Sequence, residues 1–323
     1  MDDAEFARLA QALKQSAGVA AKADIGLVAQ RLGLAGAAVR VGDDCAAIPD
    51  GDGHLLFAIE GFINAFVAAD PWFAGWCGVM VNLSDIAAMG GRPLAVVDAI
   101  WAGGERHAGA ILDGMRAAAA AYNVPIVGGH ANLRNAESQL AVAVLGRAGQ
   151  RLLTSFDAAP GDILVLAADH RGAYREPFDN FEAALAAPPE RLRGDLALLP
   201  EIAERGLARA AKDVSQGGVV GTAIMLAESS GVAIDIVLEA VIAPPGIAHA
   251  RWLKSFPSYG FLIAVAPQEI EPLLALFHAR DLHAAAIGAV KVGSEVALLS
   301  GGRRALLRDH AAERLLGLGE RGA

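Results

Sequence analysis

Asn82-Leu83-Ser84-Asp85-Ile86-Ala87-Ala88-Met89-Gly90-Gly91-Arg92-Pro93 is the stretch from which the rest of the chain can be read. Just upstream, Trp72, Trp76, Val79 and Met80 lead into Leu83, Ile86 and Ala87 at three- and four-residue steps. That spacing predicts a helix with one apolar face. Asp85 falls among these positions, near the buried side. An acid so placed is costly unless it caps a helix, pairs with an arginine or binds a cation. Ala87, Ala88, Gly90 and Gly91 permit close backbone approach, and Pro93 ends the segment.

A second acidic turn precedes it, Val41-Gly42-Asp43-Asp44-Cys45-Ala46. Gly42 allows a tight turn, and Asp43 and Asp44 then project hard oxygen donors of the kind Mg²⁺ prefers. The same residues could form an ordinary type I turn with an Asp as helix cap. Val124-Pro125-Ile126-Val127-Gly128-Gly129-His130 reads as a buried strand running into a glycine pair. Such a pair either ends a strand or brings backbone N–H groups to a phosphate. Asp213-Val214-Ser215-Gln216-Gly217-Gly218 precedes an apolar helix, Val219 to Ser230. Ser215 is an N-cap candidate, and the glycines leave donors open at a helix start, where anions bind.

In this order and spacing the four motifs resemble the aminoimidazole ribonucleotide synthetase superfamily, with thiamine-monophosphate kinase, selenophosphate synthetase and a hydrogenase maturation protein among its members. The likeness runs from about Asp24 to Leu299, with Asn82–Pro93 its most specific part. Asp70-Pro-Trp-Phe-Ala-Gly-Trp and Phe256-Pro-Ser-Tyr-Gly-Phe261 look more like a synthetase-related branch than any of the named enzymes. The resemblance implies an α/β (α+β) two-domain fold. Its N-terminal domain shares a barrel with a second subunit, and the nucleotide lies in a cleft between domains. It further implies ATP and Mg²⁺ as cofactors. Metal ligands are then Asp43, Asp44, Asp85 and Glu60. Gly42, Asn82, Gly128, Gly129, Ser215 and Gly217 contact the nucleotide, and Asp213 and His130 are the catalytic candidates.

The chain also departs from the kinases. Their Thr-Thr-Asp strand reads Phe57-Ala58-Ile59-Glu60-Gly61 here, so Glu60 keeps an acid on a longer arm. Their Gly-Gly-Asp-Thr is Gly128-Gly129-His130-Ala131, and their Asp-x-Ser-Asp-Gly is Asp213-Val214-Ser215-Gln216-Gly217. Two carboxylates are thus replaced by His130 and Gln216. His is a poor Mg²⁺ ligand and Gln a neutral one. Phe256 to Phe261 stands where the kinases carry a Gly-Glu-Asp-Tyr type segment and is expected to help select the acceptor.

The 323 residues suffice for two domains, expected at 1–150 and 151–323, with the boundary in the turn-bearing stretch Gln150–Gly161. Hydrophobic content of 54% and a positive mean hydropathy argue against disorder. No run reaches about eighteen apolar residues, and Met1-Asp2-Asp3-Ala4-Glu5 is unlike a signal peptide, so a cytoplasmic protein without membrane contact is expected. A net charge of −9 and the lack of basic runs argue against nucleic acid. Arg92, Arg134, Arg147, Arg171 and Lys212 are the candidate cations for a phosphate ligand. Two cysteines are too few for a disulfide framework, and the eight histidines form no His-x-His or His-x-x-x-His pair.

Helices are expected at Ala4–Lys14, Asp24–Leu32, Ala108–Tyr122, Glu190–Arg205, Gly218–Ser230, Glu269–Arg280 and, on the surface, Asp309–Gly317. Asp169–Pro189 should be an excursion with short helices. His54–Gly61 and Leu94–Trp101 read as strands too apolar for a solvated edge, which together with the resemblance predicts a homodimer. The function expected is an ATP- and Mg²⁺-dependent enzyme acting on a small molecule. Phosphoryl transfer like that of thiamine-phosphate kinase is the nearest precedent. The alternatives are an ATP-driven synthetase or cyclo-ligase on a nitrogenous metabolite, and a non-catalytic nucleotide-binding regulator.

Overall fold

A computed structural model describes residues 1–34 and 37–318. The chain opens with α1 (Asp3–Lys14), α2 (Ala17–Ala21) and α3 (Ala23–Arg31). Then come β1 (Ala46–Asp50), β2 (Gly53–Gly61), α4 (Asn64–Ala69), α5 (Pro71–Ala88), β3 (Arg92–Gly103), α6 (Glu105–Tyr122), β4 (Ile126–Asn132) and β5 (Arg134–Ala148). The next run is β6 (Ile163–Ala168), β7 (Ala173–Tyr174), β8 (Asn180–Glu182), α7 (Pro189–Leu196), α8 (Leu198–Arg205), β9 (Ala210–Asp213) and α9 (Gly218–Ser230). The last is β10 (Ala233–Val237), α10 (His249–Trp252), β11 (Phe256–Pro257), β12 (Gly260–Val265), α11 (Ile270–His278), β13 (His283–Lys291), β14 (Glu295–Ser300) and β15 (Arg303–Asp309).

These elements form two compact units, the mixed α/β arrangement expected. The smaller takes Asp44–Arg151 and Ala187–Glu204; the larger takes Met1–Asp43, Leu152–Ala186 and the chain from Arg205 on. One crossing lies at Arg151/Leu152, but residues 1–43 group with the second half of the sequence, so the units are not two consecutive stretches.

In the smaller unit five strands run in the order β1-β2-β5-β3-β4, antiparallel except for the parallel β3–β4 pair. α5 packs on β2, β3 and β5 and lies against α6. The Asp70 carboxylate caps the start of α5 by accepting from Phe73 N, with Pro71 in the first turn. Gly90, at φ +74, closes its end, where Gly91 N donates to Ile86 O at 2.9 Å. From Phe73 to Ala88 every residue but Ser84 is buried, a wider apolar surface than one face. The cause is backbone contact with α6. A Cβ at Gly75 would strike the Ile111 carbonyl, and one at Gly114 the Trp72 carbonyl.

The sheet alternates as a half-covered sheet should. Leu56, Val96, Ile100, Leu140, Val142 and Val144 are buried. Phe57, Ile59, Val97 and Leu145 are exposed on the opposite face, where Phe57 lies across from Leu145, and Ala143 lies between Ile59 and Val97. The expectation of apolar edge strands therefore needs correction. β2 and β3 are interior strands, the edges are β1 and β4, and what is apolar and exposed is a face.

The larger unit holds a seven-stranded sheet, β15-β14-β10-β13-β6-β12-β9. Leu164, Leu166, Leu262, Ile234, Ile236 and Leu298 join α9 in one core. The alternate residues Val165, Phe261, Ile263 and Val265 are equally buried, as are Leu273 and Phe277 of α11. Both faces of the central strands are thus covered.

Local expectations fail as well: the strand read as buried at Val124–Gly128 leads into β4, exposed along its length, and Glu190–Arg205 is two helices, α7 and α8. Between Asp169 and Pro189 the chain forms β7 and β8, which join β11 in a small sheet, instead of short helices. Aromatic packing decides this, since Phe181 sits edge-to-face on both Tyr174 and Trp252, at 5.4 and 5.2 Å between centroids. Ser215 is not the N-cap of α9; Gly217 takes that place without a side-chain bond. Asp309–Gly317 is not a helix: Asp309 ends β15, and the amides of Leu315 to Gly317 turn to the Glu228 carboxylate. Among the described residues no helix is long and apolar enough to cross a membrane.

Candidate functional site

The acidic turn divides its two carboxylates between two tasks. Asp43 Oδ1 accepts from Ser155 Oγ at 2.6 Å and Oδ2 from Ser155 N at 2.9 Å, inside the larger unit. Asp44, half-buried, belongs to the smaller unit, and there it meets Asp85. The two acids place carboxylate oxygens within 4.8 Å of each other. Asp85 is 4% exposed on the last turn of α5. The turn is tied to that end of the helix, because Cys45 N donates to Met89 Sδ at 3.0 Å. Two carboxylates this close concentrate anionic oxygen that a cation between them would neutralise. Hard, anionic oxygen donors on a rigid helix and a moored turn fit Mg²⁺.

The other expected ligands are placed differently. Glu60 is half-buried on β2, opposite Val142, and is not in the Asp44–Asp85 group. Asn82 is wholly buried inside α5; its Nδ2 donates to Gly78 O at 2.8 Å and its Oδ1 has no partner among the described residues. Gly42 forms the turn at φ +116.

Gly128, Gly129 and His130 lie on the exposed edge strand β4. A Cβ at Gly129 would run into the carboxylate of Asp98, which faces it across the parallel pair. His130 is exposed, its ring 6.1 Å from that of Trp101. Asp98 is the acid that the motif reading missed. Burial pushes its carboxyl above the usual carboxylate range. The signal was present as a lone acid in Ala95-Val96-Val97-Asp98-Ala99-Ile100.

In the larger unit Asp213 ends β9 and is 5% exposed, with Thr222 Oγ1 donating to its carbonyl at 3.4 Å. Ser215 is half-buried, and its carbonyl accepts from Gly218 N at 2.9 Å; Gln216 is exposed. Gly217 opens α9, a helix of 13 residues. Of the candidate cations, Arg92 pairs with Glu204, Arg147 with Asp50 and Arg171 with Asp169, while Lys212 is 5% exposed within β9. The Phe256–Phe261 stretch forms β11 and the start of β12, and is packed by a Tyr259–Phe261 edge contact at 5.0 Å. A cavity of about 440 Å³ in the smaller unit is lined by Asn64, His107, Glu137 and Ser138, with Asn64 Nδ2 donating to Glu137 Oε2 at 3.1 Å.

Residues 42–148 match the N-terminal domain, and residues 160–300 the C-terminal domain, of AIR synthase related proteins. An uncharacterised protein of Synechocystis is 48% identical over 303 residues, which is 92% of this chain and 94% of that one. Among solved structures, PurL of Thermotoga maritima complexed with ATP superposes with a TM-score of 0.71 at 19% identity over 87% of this chain. This chain spans only 48% of that PurL. The structure described as AaThiL complexed with AMPPCP and TMP gives a TM-score of 0.64 at 21% identity, over 86% of this chain and 92% of that one.

Proposed function

The chain belongs to the AIR synthase related family, and we propose that it is an enzyme that uses ATP with Mg²⁺ to activate a small molecule through phosphoryl chemistry. The observation that carries this reading is the Asp44–Asp85 pair, an acid on a moored turn facing a buried acid on a rigid helix. The nucleotides named with the PurL and ThiL structures support ATP as the co-substrate.

Asp44 and Asp85 would hold the ion. When bound, Mg²⁺ neutralises charge on phosphate oxygens, the main requirement of phosphoryl transfer. The backbone N–H groups at Gly128 and Gly129 are the donors proposed for the phosphates. Asp213 and His130 enter from the sequence resemblance, as groups to orient the acceptor. The nearest precedent for the reaction is thiamine-phosphate kinase; an ATP-driven synthetase on a nitrogenous metabolite is the alternative of the same class. His130 and Gln216 are exposed and carry no acid, and this favours a second reading, a nucleotide-binding regulator without turnover.

Calorimetry tests the first step. ATP binding should be weak in EDTA and recovered with Mg²⁺. Asp85→Asn keeps size and hydrogen bonding but removes the charge, so Mg²⁺-dependent binding should weaken by about tenfold or more with little change in melting temperature. Equal affinity with and without Mg²⁺ would sink the metal reading. Phosphate release with a cognate acceptor separates enzyme from regulator.

A homodimer is also proposed. The exposed apolar face around Phe57, Ile59, Val97 and Leu145 is a surface for a second copy to cover.

A further inference from the structure

We propose that the C-terminal segment Leu315–Leu318 is a clasp, closed by Glu228, that sets the position of the acidic turn. Its consequence for cation binding rests on the reading of Asp44 as a ligand. Glu228 is 3% exposed near the end of α9. A buried carboxylate is costly unless its charge is met. Here it accepts from Leu315 N at 2.5 Å, Leu316 N at 3.1 Å and Gly317 N at 2.8 Å. Successive amides converging on one carboxylate form an anion nest, and such bonds are stronger than neutral ones. Gly317, at φ +65, gives the backbone the turn that this convergence needs.

The segment so held is buried and reaches the start of the chain. Leu315, Leu316 and Leu318 are 4%, 2% and 8% exposed and join the core of the larger unit. A Cβ at Gly26 of α3 would strike the Leu316 carbonyl. A Cβ at Gly42 would meet Leu318 Cβ at 3.3 Å and its Cδ1 at 3.4 Å. Leu318 therefore lies on the glycine that immediately precedes Asp43 and Asp44.

The same helix moors the turn from its other side. Asp43 is bonded to Ser155, and the Ser155 carbonyl accepts from Ser230 Oγ at 2.7 Å. Ser230 also accepts from Ala158 N at 3.1 Å. Glu228 and Ser230 are both on the last turn of α9. One helix thus begins just after Asp213–Gly217 and ends by fixing Gly42 through the clasp and Asp43 through Ser155. Glu228 touches no reacting group in this scheme; it is a positioning residue. Loosening it would free the backbone of the turn and blunt the Asp44–Asp85 pair without altering either acid.

The test uses the 323-residue chain, its Glu228→Gln variant, and a chain ended after Arg314. Glu228→Gln keeps the shape but replaces one acceptor oxygen by an amide that opposes the backbone donors. Hydrogen exchange is followed in peptides covering residues 40–45, Ser155 and, as internal controls, α5 and the first turns of α9. Mg²⁺ titration of ATP binding is measured alongside. Exchange at residues 40–45 and Ser155 should quicken by about tenfold or more in both variants, with the controls unchanged. The Mg²⁺ needed for half-maximal binding should rise by a similar factor. Unchanged exchange at residues 40–45 in the folded variants would overturn the proposal. If either variant unfolds, Leu318→Gly keeps the Glu228 bonds and removes both the Cβ and the Cδ1 that lie on Gly42; the turn should still loosen, and a protected turn there refutes the clasp. A wild type that binds no Mg²⁺ while the variants loosen the turn supports the clasp and removes the cation reading.

Discussion

β12 of the seven-stranded sheet is buried at every residue, whereas β2 of the five-stranded sheet passes from Leu56 at 0% exposure to Ile59 at 65%. In sequence the two strands look similar, Gly260-Phe-Leu-Ile-Ala-Val265 beside Leu55-Leu-Phe-Ala-Ile59. A continuous apolar run belongs to a strand covered on both sides. β12 meets that condition within the chain. β2 meets it on one side only, through α5, and its other apolar positions face outward. Apolar pattern thus reports how many faces are to be covered but does not say whether the same chain covers them.

Removing side chains of similar kind from each sheet should cost the two strands very different amounts. Leu262→Ala in β12 should cost about 2–5 kcal/mol in urea unfolding, because it leaves a cavity among fixed neighbours. Ile59→Ala, measured dilute, should stay within about 0.5 kcal/mol. Equal losses would mean that the outward face of β2 is already covered by its own chain.

A second test asks who covers that face. Phe57→Glu combined with Ile59→Glu sets charges on the exposed rows opposite Leu145 and Ala143. Light scattering should show a dimer in the wild type and a monomer in the variant, with the same far-UV spectrum. A wild-type monomer at micromolar concentration would remove the proposed dimer and leave the face unexplained.

What could be read in the sequence follows the range of the forces involved. α5 and α9 were legible because their apolar residues lie close together along the chain, and Gly218–Ser230 was read to the residue. Asp44 and Asp85 were legible as acids that a glycine turn and a buried helix make costly. The split between Asp43 and Asp44 was not, since it depends on Ser155, more than a hundred residues away. Nor was the clasp: Glu228 lies in a helical pattern and Leu315 in another, and only folding shows that the first takes the amides of the second out of a helix. β7 and β8 were missed for the same reason, because they depend on Trp252.

The two sheets also differ in what they bury besides hydrocarbon, and pH can expose that difference. At the rim of the seven-stranded sheet the rings of His170 and His283 stack at 4.3 Å, with Trp252 edge-on to His170. His170 is held down to about 4 by burial and then by His283, against the pull of Asp169. His283 is lowered by burial and by His278. The unfolded chain takes up a proton near the ordinary 6.5 and the folded chain only near 4, so stability is lost as pH falls through that window. His170→Phe keeps a ring against Trp252 without a titrating group. Its melting temperature should fall less steeply between pH 6.5 and 4 than that of the wild type. Parallel profiles would place the acid sensitivity elsewhere.

Asp98 should move stability least; there the five-stranded sheet half-buries an acid. Asp98 shares the inner face with Val96 and Ile100 and stands against Gly129, whose lack of a side chain leaves room for the carboxylate. Burial raises its pKa, so the folded protein disfavours the charged form. Asp98 therefore adds stability below its ordinary value of 3.8 and subtracts it as pH rises through the higher folded value. Asp98→Asn should therefore be slightly stabilising at pH 7 and neutral near pH 3, as read by thermal melts at both. A residue kept only for packing would give no more than that. If Asp98 serves the glycine pair as part of the site, the same variant should lose ATP affinity while gaining stability. Loss of stability at pH 7 would mean instead that the carboxylate is met by favourable charge, and the account of its burial would fail.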